Sequence, residues 1–143
     1  MSRSAGLTRS IEIQSIDVIV GIVRDSADRI LIGQRPSGKH MAGSWEFPGG
    51  KLDQGEPPVE GLRRELDEEV GIRVETAEPL LEQRYRYPER DVRLDVWWVL
   101  SYSGEVRPRE GQALRWVEVE ELAGVDLLPA DAPIVAAIRE RLT

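Results

Sequence analysis

The sequence contains no cysteine. Disulfides, thiolate metal sites and cysteine nucleophiles are therefore excluded, and a reducing cytoplasm is the compartment this fits. Long apolar runs are also absent. VIVGIV at 18–23 is among the longest, far too short to cross a bilayer. Residues 1–10 carry two arginines but no apolar stretch, so no signal peptide is expected, and they read as a flexible tail ahead of one domain over 11–143. There is no basic tract: 26 acidic residues outnumber 19 basic ones, for a net charge of −7. Direct binding to a nucleic-acid backbone is not expected, although a small phosphate ester can bind where cations bridge it to acidic side chains. Repeats and low-complexity segments are missing too. What remains is 143 residues, 41% hydrophobic and 31% charged, enough for a single domain with a real core.

Residues 16–24 and 30–34 are β-rich runs joined by a polar turn at Asp25–Asp28, a hairpin pattern. Residues 35–55 are rich in Gly, Pro and Ser and read mostly as loop, with a short strand near Trp45–Phe47. Pro57-Pro58 suits a first helical turn, where no backbone N–H is required. Val59, Leu62, Leu66 and Val70 then recur at helical spacing until Gly71, predicting a helix over 57–71. Strands follow near 72–87 and 91–102. The second is apolar on both faces and predicts an inner strand. A strand near 113–118, a short helix over 118–124 and a helix over 131–142 complete the chain. The expected architecture is α/β (α+β), a mixed sheet with helices on both sides. Trp97, Trp98 and Trp116 are expected in the core.

Within the helix at 57–71, the apolar residues form one arc, and Glu65, Glu68 and Glu69 form the neighbouring one at i, i+3, i+4. Like charges at that spacing repel and cost helix stability unless something offsets them. Converging carboxylates supply the hard oxygen ligands that Mg²⁺, or Mn²⁺ in its place, prefers. Gly49 and Gly50, just upstream, allow backbone groups to approach a ligand closely.

The stretch GGKLDQGEPPVEGLRRELDEEVGI, residues 49–72, reads Gly50, five residues, Glu56, seven residues, Arg64-Glu65-Leu66, one residue, Glu68-Glu69, one residue, Gly71-Ile72. It resembles the Nudix box, Gx5Ex7REUxEExGU, at every defined position. Seven identities at roughly 5–7% usage each give a chance match below ~1 in 10⁸ per starting position. Residues 18–142 are similar beyond the box to the MutT-type members of that family. The carriers are GQRPSGKHMAGSWEFPGGK, YPERDVRLDVWWVL, REGQALRW and LPADAPIV. Cytidine-triphosphate pyrophosphatases of the family share much of this pattern.

The resemblance implies an αβα sandwich around a mixed sheet. It also implies Mg²⁺-dependent cleavage of a nucleoside triphosphate to monophosphate and pyrophosphate, in a monomer or dimer that binds neither nucleic acid nor membrane. The implied metal shell is Glu65, Glu68 and Glu69, a carbonyl of Gly49, and Glu110 from a loop. Glu65 or Glu110 would serve as general base. Arg64 would orient a glutamate, and Glu56 would brace the loop. Arg35 and His40 match positions near phosphate and sugar. Glu46 and Phe47 match positions beside the base, and Arg90 matches an arginine that closes over it. Asp131 departs from the pattern, since MutT-type members carry asparagine there. An ionised aspartate only accepts hydrogen bonds and favours paired donors such as N1–H and N2–H of guanine, or the N4 amino group of cytosine. A protonated Asp131 in a dry pocket donates to O6 and accepts from N7–H of 8-oxoguanine. Asp131 is also an expected N-cap for the last helix. The leading expectation is hydrolysis of 8-oxo-dGTP. CTP or dCTP is the alternative substrate, and a non-catalytic nucleotide-binding module is the alternative of another class.

Overall fold

The computed structural model describes residues 14–39 and 41–143. The expected tail over 1–10, and His40, lie outside the described residues. Chain order is β1 (Gln14–Ile22), β2 (Ile30–Gln34), β3 (Trp45–Glu46), β4 (Gly49–Lys51), α1 (Pro58–Val70), β5 (Arg73–Tyr87), β6 (Arg90–Ser103) and β7 (Leu114–Val117). Two 3₁₀ turns, Val119–Gly124 and Pro129–Asp131, lead into α2 (Ala132–Leu142).

One sheet has the order β4-β1-β6-β5, and a second has β3-β2-β7. β1 and β6 run parallel, and every other pairing in the two sheets is antiparallel, so the first sheet is mixed, as the sequence predicts. β6 is the inner strand expected from its two apolar faces. The predicted hairpin of β1 and β2 forms only at its base. Asp25 holds the turn by accepting from the Ala27 and Arg29 amides at 2.9 Å, and Leu31 N–H reaches the Val23 carbonyl at 3.0 Å. The strands then part into separate sheets, because β4 and β6 occupy the two edges of β1.

Strand β4 is a correction to the loop reading of 35–55. Gly49 and Gly50 have little intrinsic strand preference, and it is pairing with Val18–Val20 of β1 that makes the segment a strand. The last helix also begins differently from its expectation. Asp131 stands at the N-cap position of α2 but makes no capping hydrogen bond.

Alternation along β1 sends side chains to opposite faces. Val20 and Ile22 join Leu94, Val96 and Trp98 of β6 against Ile134 and Ile138 of α2. Ile19 and Val23 join Leu62, Leu66 and Val70 of α1. These three α1 residues are fully buried. Burying side chains of this size stabilises by about 1.5–3 kcal/mol each. The apolar stripe of α1 is thereby fixed inward, which rolls Glu65 and Glu69 toward the β4 edge of the sheet. Trp98 is core, and Trp97 and Trp116 pack partly buried against the α1 side. No helix among the described residues is long and apolar enough to cross a membrane.

Candidate active site

The site begins with α1. Its C-terminus is closed by Gly71 in the left-handed conformation, φ 74°, and by the segment that follows β6. Arg107 N–H donates to the Val70 carbonyl at 3.0 Å, and Arg109 N–H to the Glu69 carbonyl at 3.2 Å. Gln112 Nε2 also donates to the Glu69 carbonyl, at 3.1 Å, while its Oε1 accepts from Glu110 N–H at 3.1 Å. These bonds satisfy carbonyls that a helix end leaves open, and they hold Glu110 beside the helix carboxylates.

At the other side of the carboxylates runs β4. A Cβ on Gly50 would lie 2.2 Å from Glu65 Oε1, and one on Gly49 would lie 2.0 Å from the Ile19 carbonyl. Only glycine lets this strand sit between β1 and α1 so closely. Gly49 N–H faces Glu69 Oε2 at 3.4 Å.

Arg64 organises the box. Its Nε and Nη2 donate to the two oxygens of Glu56 at 2.8 and 2.9 Å. Its Nη1 donates to Glu65 at 2.8 Å and to Glu68 at 3.3 Å, and its Nη2 to the Lys51 carbonyl at 3.1 Å. Such forked, charge-assisted contacts fix orientation as well as charge. Glu56 in turn accepts from Asp53 N–H at 3.0 Å, bracing the turn ahead of α1. The Arg64 hydrogen bonds hold the Glu56 carboxyl down at about 2.

The carboxylates facing the cavity behave in the opposite way. Burial pushes Glu69 up to about 8, and the charges of Glu46, Glu110 and Glu65 add to it. Burial also raises Glu65, against the opposing Arg64 contact. Glu46 is raised by burial despite its ion pair with Arg35 at 2.8 Å. A group of mutually repelling, partly dehydrated carboxylates is a site short of positive charge.

Glu46, Glu65, Glu69 and Glu110 line one cavity of about 600 Å³. Its other end is apolar, walled by Val18, Val20, Phe47, Leu94 and Ala130. Asp131 lies there, only 5% exposed, with Oδ2 buried and without a hydrogen-bond partner. Burial pushes its carboxyl up to about 7. The Glu46 charge adds to that rise and Arg35 opposes it. The Glu46–Arg35 pair thus stands electrostatically between the two ends.

Of the sequence-predicted residues, Gly49, Gly50, Glu65, Glu69, Glu110, Arg35, Glu46, Phe47, Arg90 and Asp131 all line this cavity. Phe47 is also core, 4% exposed. Arg64 and Glu56 stand behind the wall as described. Glu68 points outward, with a 55% exposed side chain held by Arg64, and Gly71 ends the helix. Among the described residues no three acidic groups are already gathered into a metal cage. The residues able to hold a cation are nevertheless the right type, hard oxygen donors around one space.

Lys39, Lys51, Gln34, Gln112 and Tyr87 line the cavity without having been singled out in the sequence. Lys51 directly follows the two glycines, and Tyr87 directly precedes Pro88 in YPER. Those positions were the available signals. Tyr87 lies close enough to Asp131 for that charge to raise its hydroxyl, although burial is the larger cause.

A family profile described as NUDIX domain matches residues 15–140. An Escherichia coli protein named 8-oxo-dGTP diphosphatase is 36% identical over 126 residues, covering 88% of this chain and 98% of its own. An Escherichia coli protein named CTP pyrophosphohydrolase is also 36% identical, over 122 residues, covering 85% and 90%. A solved structure from work on MutT of Aliivibrio salmonicida and Vibrio cholerae superimposes with a TM-score of 0.77 at 32% identity, covering 90% of this chain and 99% of that one.

Proposed function

The chain belongs to the Nudix hydrolases, and from that premise we propose that it is a Mg²⁺-dependent nucleoside triphosphate pyrophosphohydrolase acting on 8-oxo-dGTP. Its products would be 8-oxo-dGMP and pyrophosphate, which clears an oxidised nucleotide from the pool. The cysteine-free composition suits this work in the cytoplasm.

One observation carries the reading. A single cavity joins a crowded set of carboxylates to a buried Asp131, its Oδ2 without a hydrogen-bond partner, amid apolar walls. Its volume of about 600 Å³ falls in the range of small-ligand pockets. A triphosphate is repelled by the first end unless cations intervene. Glu65, Glu69 and Glu110 would hold them, with the Gly49 carbonyl beside them, and Glu68 would join by turning in from its outward position. Mg²⁺ in such a site supplies positive charge that neutralises phosphate and acidifies water.

The chain's own residues do the rest. Arg64 keeps Glu65 oriented, so this carboxylate does not swing away when the site fills. Glu65 or Glu110 takes the proton from the attacking water. Arg35 and Lys39 face the polyanion as cations. Phe47 and Arg90 offer an apolar edge and a guanidinium plane to the base. With a pKa near 7, Asp131 is protonated in a large share of molecules at neutral pH. In that form it donates to O6 and accepts from N7–H, the pattern that 8-oxoguanine presents. In its ionised form it accepts only, which favours the N4 amino group of cytosine. That is the observation behind a second reading, CTP or dCTP as substrate.

The test is a substrate panel of 8-oxo-dGTP, dGTP, CTP and dCTP, with and without Mg²⁺, with products identified. Monophosphate plus pyrophosphate, with 8-oxo-dGTP fastest, is expected. Labelled oxygen from water should enter pyrophosphate, the outcome of attack at the β-phosphorus. Diphosphate plus phosphate, or metal-independent turnover, would overturn the reading.

A further inference from the structure

The first sheet ends at β5, whose one neighbour in it is β6. The two halves of β5 treat their outer edge differently. Over the first half, the pairing with β6 is interrupted by register shifts at 74/76, 76/77 and 79/81. Pro79 offers no N–H there, and Arg63 donates to the Val74 and Glu75 carbonyls at 3.1 and 3.3 Å. Such features keep a strand edge from recruiting another strand. From Leu81 to Tyr87 the ladder with β6 is unbroken. Among the described residues no other strand lies along Leu81–Arg86. Instead, Gln83 Nε2 donates to the carbonyl of the next residue, Arg84, at 2.8 Å. A ladder carbonyl engaged by β6 has little use for a side-chain donor, so this contact puts the backbone groups of Arg84 on the outer side. Two-residue alternation puts those of Glu82 and Arg86 there too.

The side chains along this regular half are self-complementary. When two copies are laid antiparallel about Gln83, Glu82 of each faces Arg84 of the other, and Leu81 of each faces Tyr85 of the other. Both are favourable cross-strand pairs. Moving the centre by one residue sets Glu82 against Glu82, or Arg84 against Arg84. Only the Gln83-centred register avoids these like-charge pairs while keeping the outward-facing backbone groups matched. We propose that the regular half of β5 is a self-association edge, which joins two copies by antiparallel pairing of Leu81–Tyr85 centred on Gln83. Glu82 already accepts from Arg93 of β6, so Arg84 of the second copy adds a second cation to a carboxylate held in place. Five residues from each copy make a contact below the standard interface size, so association is weak and concentration-dependent. This inference does not rest on the reading of the cavity.

Sedimentation over a wide concentration range tests it, together with charge exchange. The wild type should move from monomer toward twice that mass. Glu82→Arg and Arg84→Glu should each weaken association about tenfold, since each turns both symmetric pairs into like charges. The double variant E82R/R84E should recover association. Because the chain has no cysteine, Gln83→Cys is a clean trap. It should form a disulfide-linked dimer under mild oxidation, whereas Leu100→Cys, exposed on β6, should not. Circular dichroism guards against misfolded variants. A wild type that stays monomeric at every concentration, a double variant no better than the singles, or equal crosslinking at positions 83 and 100 would each overturn the proposal.

Discussion

The two ends of the cavity are both built on carboxylates, half-buried or exposed at one end and a buried Asp131 at the other, and they differ in what surrounds them. At the acidic end, Glu46, Glu65, Glu69 and Glu110 share one space, and their mutual repulsion adds to burial in raising Glu69 to about 8. At the apolar end, Asp131 is the one carboxylate among apolar walls, and its raised value comes first from burial, with the Glu46 charge a smaller addition. Crowding makes a site that calls for cations. Isolation makes one that calls for a matched donor and acceptor. Glu56 is the counterexample outside the cavity, where Arg64 takes up its charge and holds it near 2.

The largest effect is expected at the crowded end. Glu69→Gln should lower kcat by several orders of magnitude, because the amide keeps the shape but loses the charge a cation needs. In metal-free buffer above about pH 8, where Glu69 would otherwise be ionised among like charges, the same change should leave the melting temperature equal or higher. Rates and thermal unfolding measured on one preparation check both signs. A variant retaining more than about a tenth of wild-type kcat, a loss under ~1.4 kcal/mol, breaks the assignment.

Arg64→Ala should separate support from chemistry. It leaves Glu56, Glu65 and Glu68 without their shared guanidinium, so turnover and stability should fall together. The stability loss should be about 2 kcal/mol, read by urea unfolding. An active variant that is merely less stable would mean Glu65 keeps its orientation without Arg64.

The isolated end should respond in selectivity. Asp131→Asn supplies a permanent donor beside an acceptor, so kcat/KM for 8-oxo-dGTP relative to CTP should rise about tenfold or more, from a hydrogen-bond pair worth roughly 1–3 kcal/mol.

Stability against pH should respond as well. The folded value of Asp131 lies above its ordinary 3.8, at about 7. Its contribution is therefore fully present below about pH 4 and is lost as pH rises toward 7, where the folded state must give up its extra proton. Asp131→Asn should remove that component, flattening the decline between pH 4 and 7 relative to wild type. Other raised carboxylates add declines of their own, so the difference between the two proteins is the quantity to measure. Superimposable profiles would mean Asp131 titrates normally.

The box was legible because its spacing coincides with the helix period. Buried Leu62, Leu66 and Val70 fix which way Glu65 and Glu69 turn. β4 was not legible, since Gly49 and Gly50 become a strand only through β1. The separation of β1 from β2 was hidden for a related reason, as strands distant in sequence take both edges of β1. The outward turn of Glu68 and the missing cap at Asp131 depend on side-chain partners that no local pattern encodes. Lys51 and Tyr87 reach the cavity through sheet pairing, β4 with β1 and β5 with β6, which one sequence does not display.

The most direct measurement is kcat/KM for 8-oxo-dGTP and for CTP in wild type, Glu69→Gln and Asp131→Asn, under one set of conditions. If one end performs hydrolysis and the other reads the base, Glu69→Gln lowers both values by the same large factor and leaves their ratio unchanged. Asp131→Asn then moves the ratio toward 8-oxo-dGTP and keeps turnover. An unchanged ratio in Asp131→Asn, or a shifted ratio with near-normal turnover in Glu69→Gln, would contradict the division of the cavity.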